Sequence, residues 1–328
     1  MAARLSEDDL IARFFAPGAA PEGLGLRDDA ALLAGAPGDL VLTTDALVAG
    51  VHFFADDPPD AIARKALRVN LSDLAAKGAE PVGFLLALAL PTDWTEDWLA
   101  AFANGLAEDA TAYACPLFGG DTVKTAGPLM VSITALGRIE TGRMARRDGA
   151  RPGDLLYVSG TIGDAALGLS LRLGAPALEA GLEVESRRFL LDRYLLPQPR
   201  CGLAPAMRRF AQGGMDVSDG FVGDLTKMLR VSGVTARIDL GLLPLSPAAR
   251  AALSIDRALI ETLATGGDDY EILAAVGQNE AADFERSAAA AGIKVSRVGT
   301  VAAGEGAPEF VGPSGRALAF TRGSFSHF

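Results

Sequence analysis

The sequence predicts two α+β domains that meet near residue 148: residues 1–148, and residues 149–328. Three observations carry this. A chain of 328 residues has the length of two ordinary domains. Apolar residues make up 49% and charged residues 22%, enough for a sizeable core and against disorder. Apolar patterns of period two and period 3.6 follow one another, but without the strict strand–helix rhythm of a parallel doubly wound sheet.

In chain order, Ser6-Glu7-Asp8-Asp9 reads as a helix start leading into Leu10–Phe15, and Gly and Pro then break the pattern as far as Gly25. Asp39–Thr44 reads as a strand. Asp60–Lys77 reads as a long helix, with Ile62, Ala66, Val69 and Leu74 at helical spacing and Gly78 where a C-cap belongs. Val82–Leu90 is a strand and Glu96–Tyr113 a helix. Leu129–Gly137 is a strand in which Met130, Ser132 and Thr134 alternate with Val131, Ile133 and Ala135. The turn signal Arg151-Pro152-Gly153-Asp154 opens the second domain. There the sequence predicts strands at Leu155–Val158, Thr235–Leu240, Tyr270–Val276 and Lys294–Val298. Helices are predicted at Asp164–Leu173, Gly220–Val231 and Glu280–Ala290, with a partly polar helical segment over Ala175–Arg193.

The formal net charge is −11 with no basic block, which argues against nucleic acid or an anionic membrane as partner. Cys115 and Cys201 have no metal-binding spacing and read as free thiols of a reducing cytoplasm. Met1–Leu10 carries acids rather than a signal pattern, and the longest apolar run, Val82–Leu90, is too short to span a bilayer.

The chemistry lies in aspartates set in short turn-like motifs: Asp28-Asp29, Thr43-Thr44-Asp45, Ser72-Asp73, Gly119-Gly120-Asp121, Asp216-Val217-Ser218-Asp219-Gly220 and Gly267-Asp268-Asp269. Carboxylates beside Gly, Ser and Thr suit hard cations, and Mg²⁺ shares such oxygens with substrate phosphates. Several Mg²⁺ ions serving a nucleotide phosphate is the reading that follows. No Gly-x-x-x-x-Gly-Lys-Ser/Thr, protein-kinase signature set or Gly-x-Ser-x-Gly is present, and Gly23-Leu24-Gly25 lacks the third glycine of a dinucleotide site. Two histidines, His52 and His327, are too few and too isolated for zinc. Ser159–Asp164 is either a phosphate cradle or a tight turn before a capped helix.

From Ile11 to Phe328 the chain resembles the bacterial thiamine-monophosphate kinase family, within the superfamily named after aminoimidazole ribonucleotide synthetase. The resemblance is carried by Asp28–Ala31, Thr43–Phe53, Lys65–Pro81, Gly119–Thr122, Gly149–Asp154, Asp216–Gly220, Gly267–Glu271 and the terminal His327-Phe328. It implies that ATP phosphorylates thiamine monophosphate, and that strands of the N-terminal domain join a partner's in a homodimer sheet or barrel. It further implies that Asp29, Thr43, Thr44, Asp45, Asp73, Asp121, Asp216 and Asp219 hold Mg²⁺, and that Gly120, Asp121, Arg147 and Ser218 contact ATP. His52, Asp268 and Phe325 would contact thiamine monophosphate, and no residue would act as a nucleophile. Three residues depart from the family's usual pattern: Arg27 in place of Gly, Asp268 in place of Glu, and Phe325 in place of Tyr or Trp.

Overall fold

A computed structural model describes residues 6–27, 30–312, 315–320 and 323–324. The expectations for Asp29 and Phe325 lie outside these described residues. The chain divides into two units, Met1–Leu74 with Glu80–Thr141, and Ala75–Ala79 with Gly142–Phe328.

The first unit comprises α1 (Glu7–Leu10), β1 (Asp39–Val48), α2 (Pro59–Lys77, its last residues in the second unit), β2 (Glu80–Leu90), α3 (Glu96–Ala112), β3 (Leu117–Lys124) and β4 (Met130–Ile139). Its four-stranded sheet has the order β1-β4-β2-β3, antiparallel except for the parallel β2–β3 pair. The alternation in β4 sorts the two faces. Val131, Ile133 and Ala135 are fully buried, whereas Met130, Ser132 and Thr134 are half-buried. The buried face meets the helices, as the hydrogen bond from Thr43 on β1 to Asp73 on α2 requires. α2 is held to α3 by a buried carboxylate: Asp109 accepts from Arg64 at 3.0 Å and from Arg68 at 2.6 and 3.0 Å. The other face leaves Leu40, Leu42 and Leu85 between 40 and 62% exposed.

The second unit comprises β5 (Leu155–Ser159), α4 (Asp164–Arg172), α5 (Pro176–Gly181), α6 (Val184–Leu195), α7 (Ala204–Phe210), β6 (Ala211–Val217), α8 (Phe221–Val231) and β7 (Val234–Asp239). α9 (Pro247–Ile255), α10 (Leu259–Thr265), β8 (Glu271–Val276), α11 (Ala281–Ala290), β9 (Val295–Ala303), β10 (Glu309–Val311) and β11 (Ala317–Leu318) follow. The sheet order is β11-β10-β7-β9-β5-β8-β6. Its central strands β5 and β8 are buried at every residue, as strands covered on both faces must be. Period two divides them between two cores. Leu156, Val158, Leu273 and Ala275 join Phe221, Leu225 and Met228 of α8 on one side. Leu155, Tyr157, Ile272 and Ala274 join Met207 of α7 and Phe284 of α11 on the other. A third, all-helical core forms among α4, α5, α6, α9 and α10.

Candidate active site

β1 runs further than its apolar pattern suggests, pairing with β4 from Asp39↔Ile139 to Val48↔Met130. Asp45 therefore sits inside a strand, opposite Ile133, rather than directly after one. Strand alternation then splits Thr43-Thr44-Asp45. Thr43 and Asp45 face the helices, and the Thr43 hydroxyl donates to Asp73 at 2.5 Å. Thr44 faces the opposite side, its hydroxyl 3.1 Å from the Ile133 carbonyl and 3.0 Å from the Thr134 hydroxyl. Asp121 lies within β3 in register with Ala87, Ser132 and Ala46, and so shares the Thr44 face. Gly120 is obligatory, because a Cβ there would meet the Leu86 carbonyl at 1.8 Å.

On this open face lies a cavity of about 840 Å³. Gly120, Asp121, Ser132 and Thr134 line it from the sheet, and Ile11, Phe15 and Leu26 of the N-terminal segment close it with apolar surface. This is the size and character of a pocket for a molecule as large as a nucleotide. His52 lies in the turn after β1. Its Nδ1 accepts the Val48 N–H at 3.0 Å, so a neutral ring carries its proton on Nε2. The buried Lys65 ammonium fixes the turn by donating to the His52 carbonyl at 2.9 Å.

In the second unit Arg146 forms a two-bond fork with Asp148 at 2.7 and 2.8 Å, and the neighbouring Arg147 presents an exposed side chain. Asp216 is buried in β6 opposite Ile272. Ser218 and Asp219 follow where β6 ends. The Ser218 carbonyl accepts the Asp268 N–H, and Val217 that of Tyr270, both at 2.8 Å. Gly267 passes so close that a Cβ would meet the Ser218 carbonyl at 2.4 Å. The structure thus brings Ser218 and Asp268 together, and separately Thr43 and Asp73.

The segment carrying Asp268 is strained and anchored by turns. Asp268 and Tyr270 have left-handed φ of 72° and 51°, a costly conformation for residues with side chains. Between and after them, Asp269 and Glu271 are completely buried. Asp269 accepts from the Gly163 and Ala165 N–H groups at 2.6 and 3.3 Å. Glu271 accepts from the Ser159 hydroxyl at 2.6 Å, Arg200 Nε at 2.7 Å and Arg193 at 3.1 Å. Gly160, at φ 54°, leaves room for this cluster, since a Cβ there would lie 2.1 Å from Glu271 Oε1. Burial pushes the Asp269 carboxyl well above its usual range, and burial raises Asp164 as well, against the Ser246 and Thr161 hydroxyls that hydrogen-bond it. The Ser159–Asp164 segment resolves as a tight turn. The N–H groups of Gly160, Ile162 and Gly163 are already given to Lys294, Pro244 and Asp269, leaving none of the three for a phosphate.

Asp219 is ion-paired with Lys227 of α8 at 2.5 Å. Lys227 also reaches the buried Asp224 at 3.0 Å, and Asp224 accepts the Asp219 and Gly220 N–H groups. Lys227, Asp224, Arg193 and Arg200 lie outside the motifs, and Glu271 closes the Gly267–Glu271 motif without a role assigned to it. Arg193 and Arg200 lie more than seventy residues from their partner Glu271, so no local pattern marks that cluster. Among the described residues no three His, Cys, Asp or Glu side chains gather as a metal site.

Comparison with known proteins gives the same frame. The AIR synthase related protein N-terminal domain matches residues 27–139, and the corresponding C-terminal domain residues 151–310. Over 311 residues the chain is 49% identical to a thiamine-monophosphate kinase of Caulobacter vibrioides, covering 93% of this chain and 86% of that protein. A crystal structure of thiamine-monophosphate kinase from Stenotrophomonas maltophilia K279a superposes with a TM-score of 0.79 at 39% identity, covering 89% and 91% of the two chains. A structure of AaThiL complexed with AMPPCP and TMP superposes with a TM-score of 0.77 at 29% identity over the whole of both chains.

Proposed function

The chain belongs to the thiamine-monophosphate kinase family of AIR synthase related proteins, and from that premise we infer that it transfers the γ-phosphoryl group of ATP to thiamine monophosphate. It is an enzyme, and its products are thiamine diphosphate and ADP. The observation that carries this is the end-to-end match to a structure holding an ATP analogue together with TMP.

The reaction asks little covalent chemistry of the protein, since phosphoryl transfer depends on positioning and neutralised oxygens. The acceptor is a phosphate already ionised at neutral pH. No general base is needed, and none is assigned. The cavity on the open sheet face takes the nucleotide, with its apolar wall against the base and Gly120 and Asp121 beside the phosphates. Arg147 and Ser218 contact ATP. His52, whose Nδ1 accepts the Val48 N–H, contacts thiamine monophosphate, as do Asp268 and Phe325.

Asp29, Thr43, Thr44, Asp45, Asp73, Asp121, Asp216 and Asp219 would hold Mg²⁺. Every member offers a hard oxygen, and the Thr43 hydroxyl and Asp73 carboxylate lie side by side on the helix-facing side of the sheet. A pair such as Thr43 with Asp73 suits an ion whose shell is completed by substrate phosphates. Bound there, Mg²⁺ neutralises phosphate oxygens and relieves the repulsion between two anions.

Residues 1–148 then form the ATP, metal and dimerisation domain, and 149–328 the C-terminal domain. Leu40 and Leu42, exposed on the first unit's sheet outside the cavity lining, and the ten-residue edge strand β1 support a homodimer through that edge of the sheet. A monomer mass at micromolar concentration by sedimentation would contradict it. Two free cysteines support a cytoplasmic enzyme; both are largely buried, and burial pushes the Cys201 thiol up to about 12. Calorimetric titration of the protein–AMPPCP complex tests the binding half of the proposal. Saturable binding of one thiamine monophosphate per chain is expected, and no heat of binding would overturn it.

A further inference from the structure

Lys227 has no part in the reading above, yet it holds the carboxylate assigned there to a metal. Its ammonium lies 2.5 Å from Asp219 Oδ2 and 3.0 Å from Asp224 Oδ1. Asp224 is 1% exposed, and its other oxygen accepts the Asp219 N–H at 2.8 Å and the Gly220 N–H at 3.2 Å. One buried carboxylate therefore fixes both the turn that carries Asp219 and the lysine that neutralises it. Asp219 and Lys227 are each about a third exposed, so an ion from solvent has access to the pair.

We propose that Lys227 is a resident counter-ion of the nucleotide–metal site, one that neutralises Asp219 before a divalent ion arrives and sets how weakly that ion binds. The inference rests on the assignment of Asp219 to a metal. An Mg²⁺ or Mn²⁺ ion taking Asp219 as ligand must displace the ammonium or share the carboxylate with it, and two cations at one carboxylate repel. Lys227 thereby acts as a positioning residue. It makes occupancy of this position depend on the additional negative charge that ATP brings.

The test counts bound Mn²⁺ by loss of the free-ion paramagnetic resonance signal, using the full chain with and without AMPPCP. Lys227→Met removes the charge and keeps most of the volume. Lys227→Gln also removes it but can still donate to Asp224, which guards against a folding defect. Lys227→Arg keeps the charge. Both neutral variants should tighten the weakest Mn²⁺ site about tenfold, a value discounted for solvent screening of a partly exposed pair. The gain should be largest without AMPPCP, should be absent in Lys227→Arg, and should disappear when Asp219→Asn is added. Wild-type or weaker isotherms for the folded neutral variants overturn the proposal. If Asp219→Asn alone weakens Mn²⁺ binding while the neutral lysine variants change nothing, only the counter-ion role fails. If Asp219→Asn leaves binding unchanged in every background, the metal assignment of Asp219 fails and this proposal with it.

Discussion

Glu271→Gln should destabilise the second unit severely, although it changes one oxygen to an NH₂ group. The wild-type carboxylate is fully buried and accepts from Ser159, Arg200 and Arg193. The amide removes the negative charge and, whichever way it is turned, points a donor at the Arg200 guanidinium, while Arg193, only 7% exposed, loses its counter-charge. Breaking a buried ion pair from one side costs about 3–5 kcal/mol, because the remaining charge stays buried without compensation. For a unit of this size, each kcal/mol lowers the melting temperature by about 2–4 °C, so a fall of about 6–20 °C is expected. Calorimetry measures it, and amide exchange at β5 and β8 assigns the loss to this unit. Removing all three charges should hurt less than removing one. Glu271→Leu with Arg193→Met and Arg200→Met should recover most of the lost stability, since apolar replacement of a whole buried network is often neutral. A Glu271→Gln melting temperature within about 2 °C of wild type would refute the argument.

Other perturbations separate the site from its scaffold. Asp45→Asn should leave the fold intact and lower turnover on the order of 10²–10³-fold, the usual loss for one preorganised electrostatic contact; near-normal rates at saturating Mg²⁺ would remove Asp45 from the site. Gly267→Ala forces a Cβ to 2.4 Å from the Ser218 carbonyl, so Michaelis constants for ATP and thiamine monophosphate should rise together, and a rise in only one would deny the coupling of the two turns. Burial raises the Asp164 carboxyl, so the folded state keeps its proton at pH values where the unfolded chain has lost it. The contribution of this group to stability is then fully present below about pH 4 and is lost as pH rises through the raised pKa. Asp164→Asn should flatten that decline in melting temperature between pH 4 and 8, and an unchanged slope would assign the decline elsewhere.

The fold was most legible where one period persisted. Ile62, Ala66, Val69 and Leu74 marked α2, and the alternation of β4 appeared almost residue for residue. β3 escaped because Gly119-Gly120-Asp121 reads as a turn-like motif, whereas the structure uses Gly120 for a close approach to Leu86 of the paired strand. α7, α9 and α10 escaped because each is short and bounded by Pro or Gly. The candidate site was legible as a set of motifs and not as a geometry. Nothing in Thr43-Thr44-Asp45 announced that β1 would continue to Val48 and send Thr44 to the opposite face. The charge pair Arg193–Glu271 arises only when distant segments fold together, and Lys227–Asp219 only when the turn before α8 brings Asp219 back over the helix.

The central claim concerns the fate of one phosphoryl group. Purified protein should be incubated with Mg²⁺, ATP labelled at the γ-phosphate and thiamine monophosphate, and the products separated. The label should appear in thiamine diphosphate in a one-to-one ratio with ADP, and only when thiamine monophosphate is present. Label released as inorganic phosphate at the same rate with or without thiamine monophosphate, and none in thiamine diphosphate, would contradict the account.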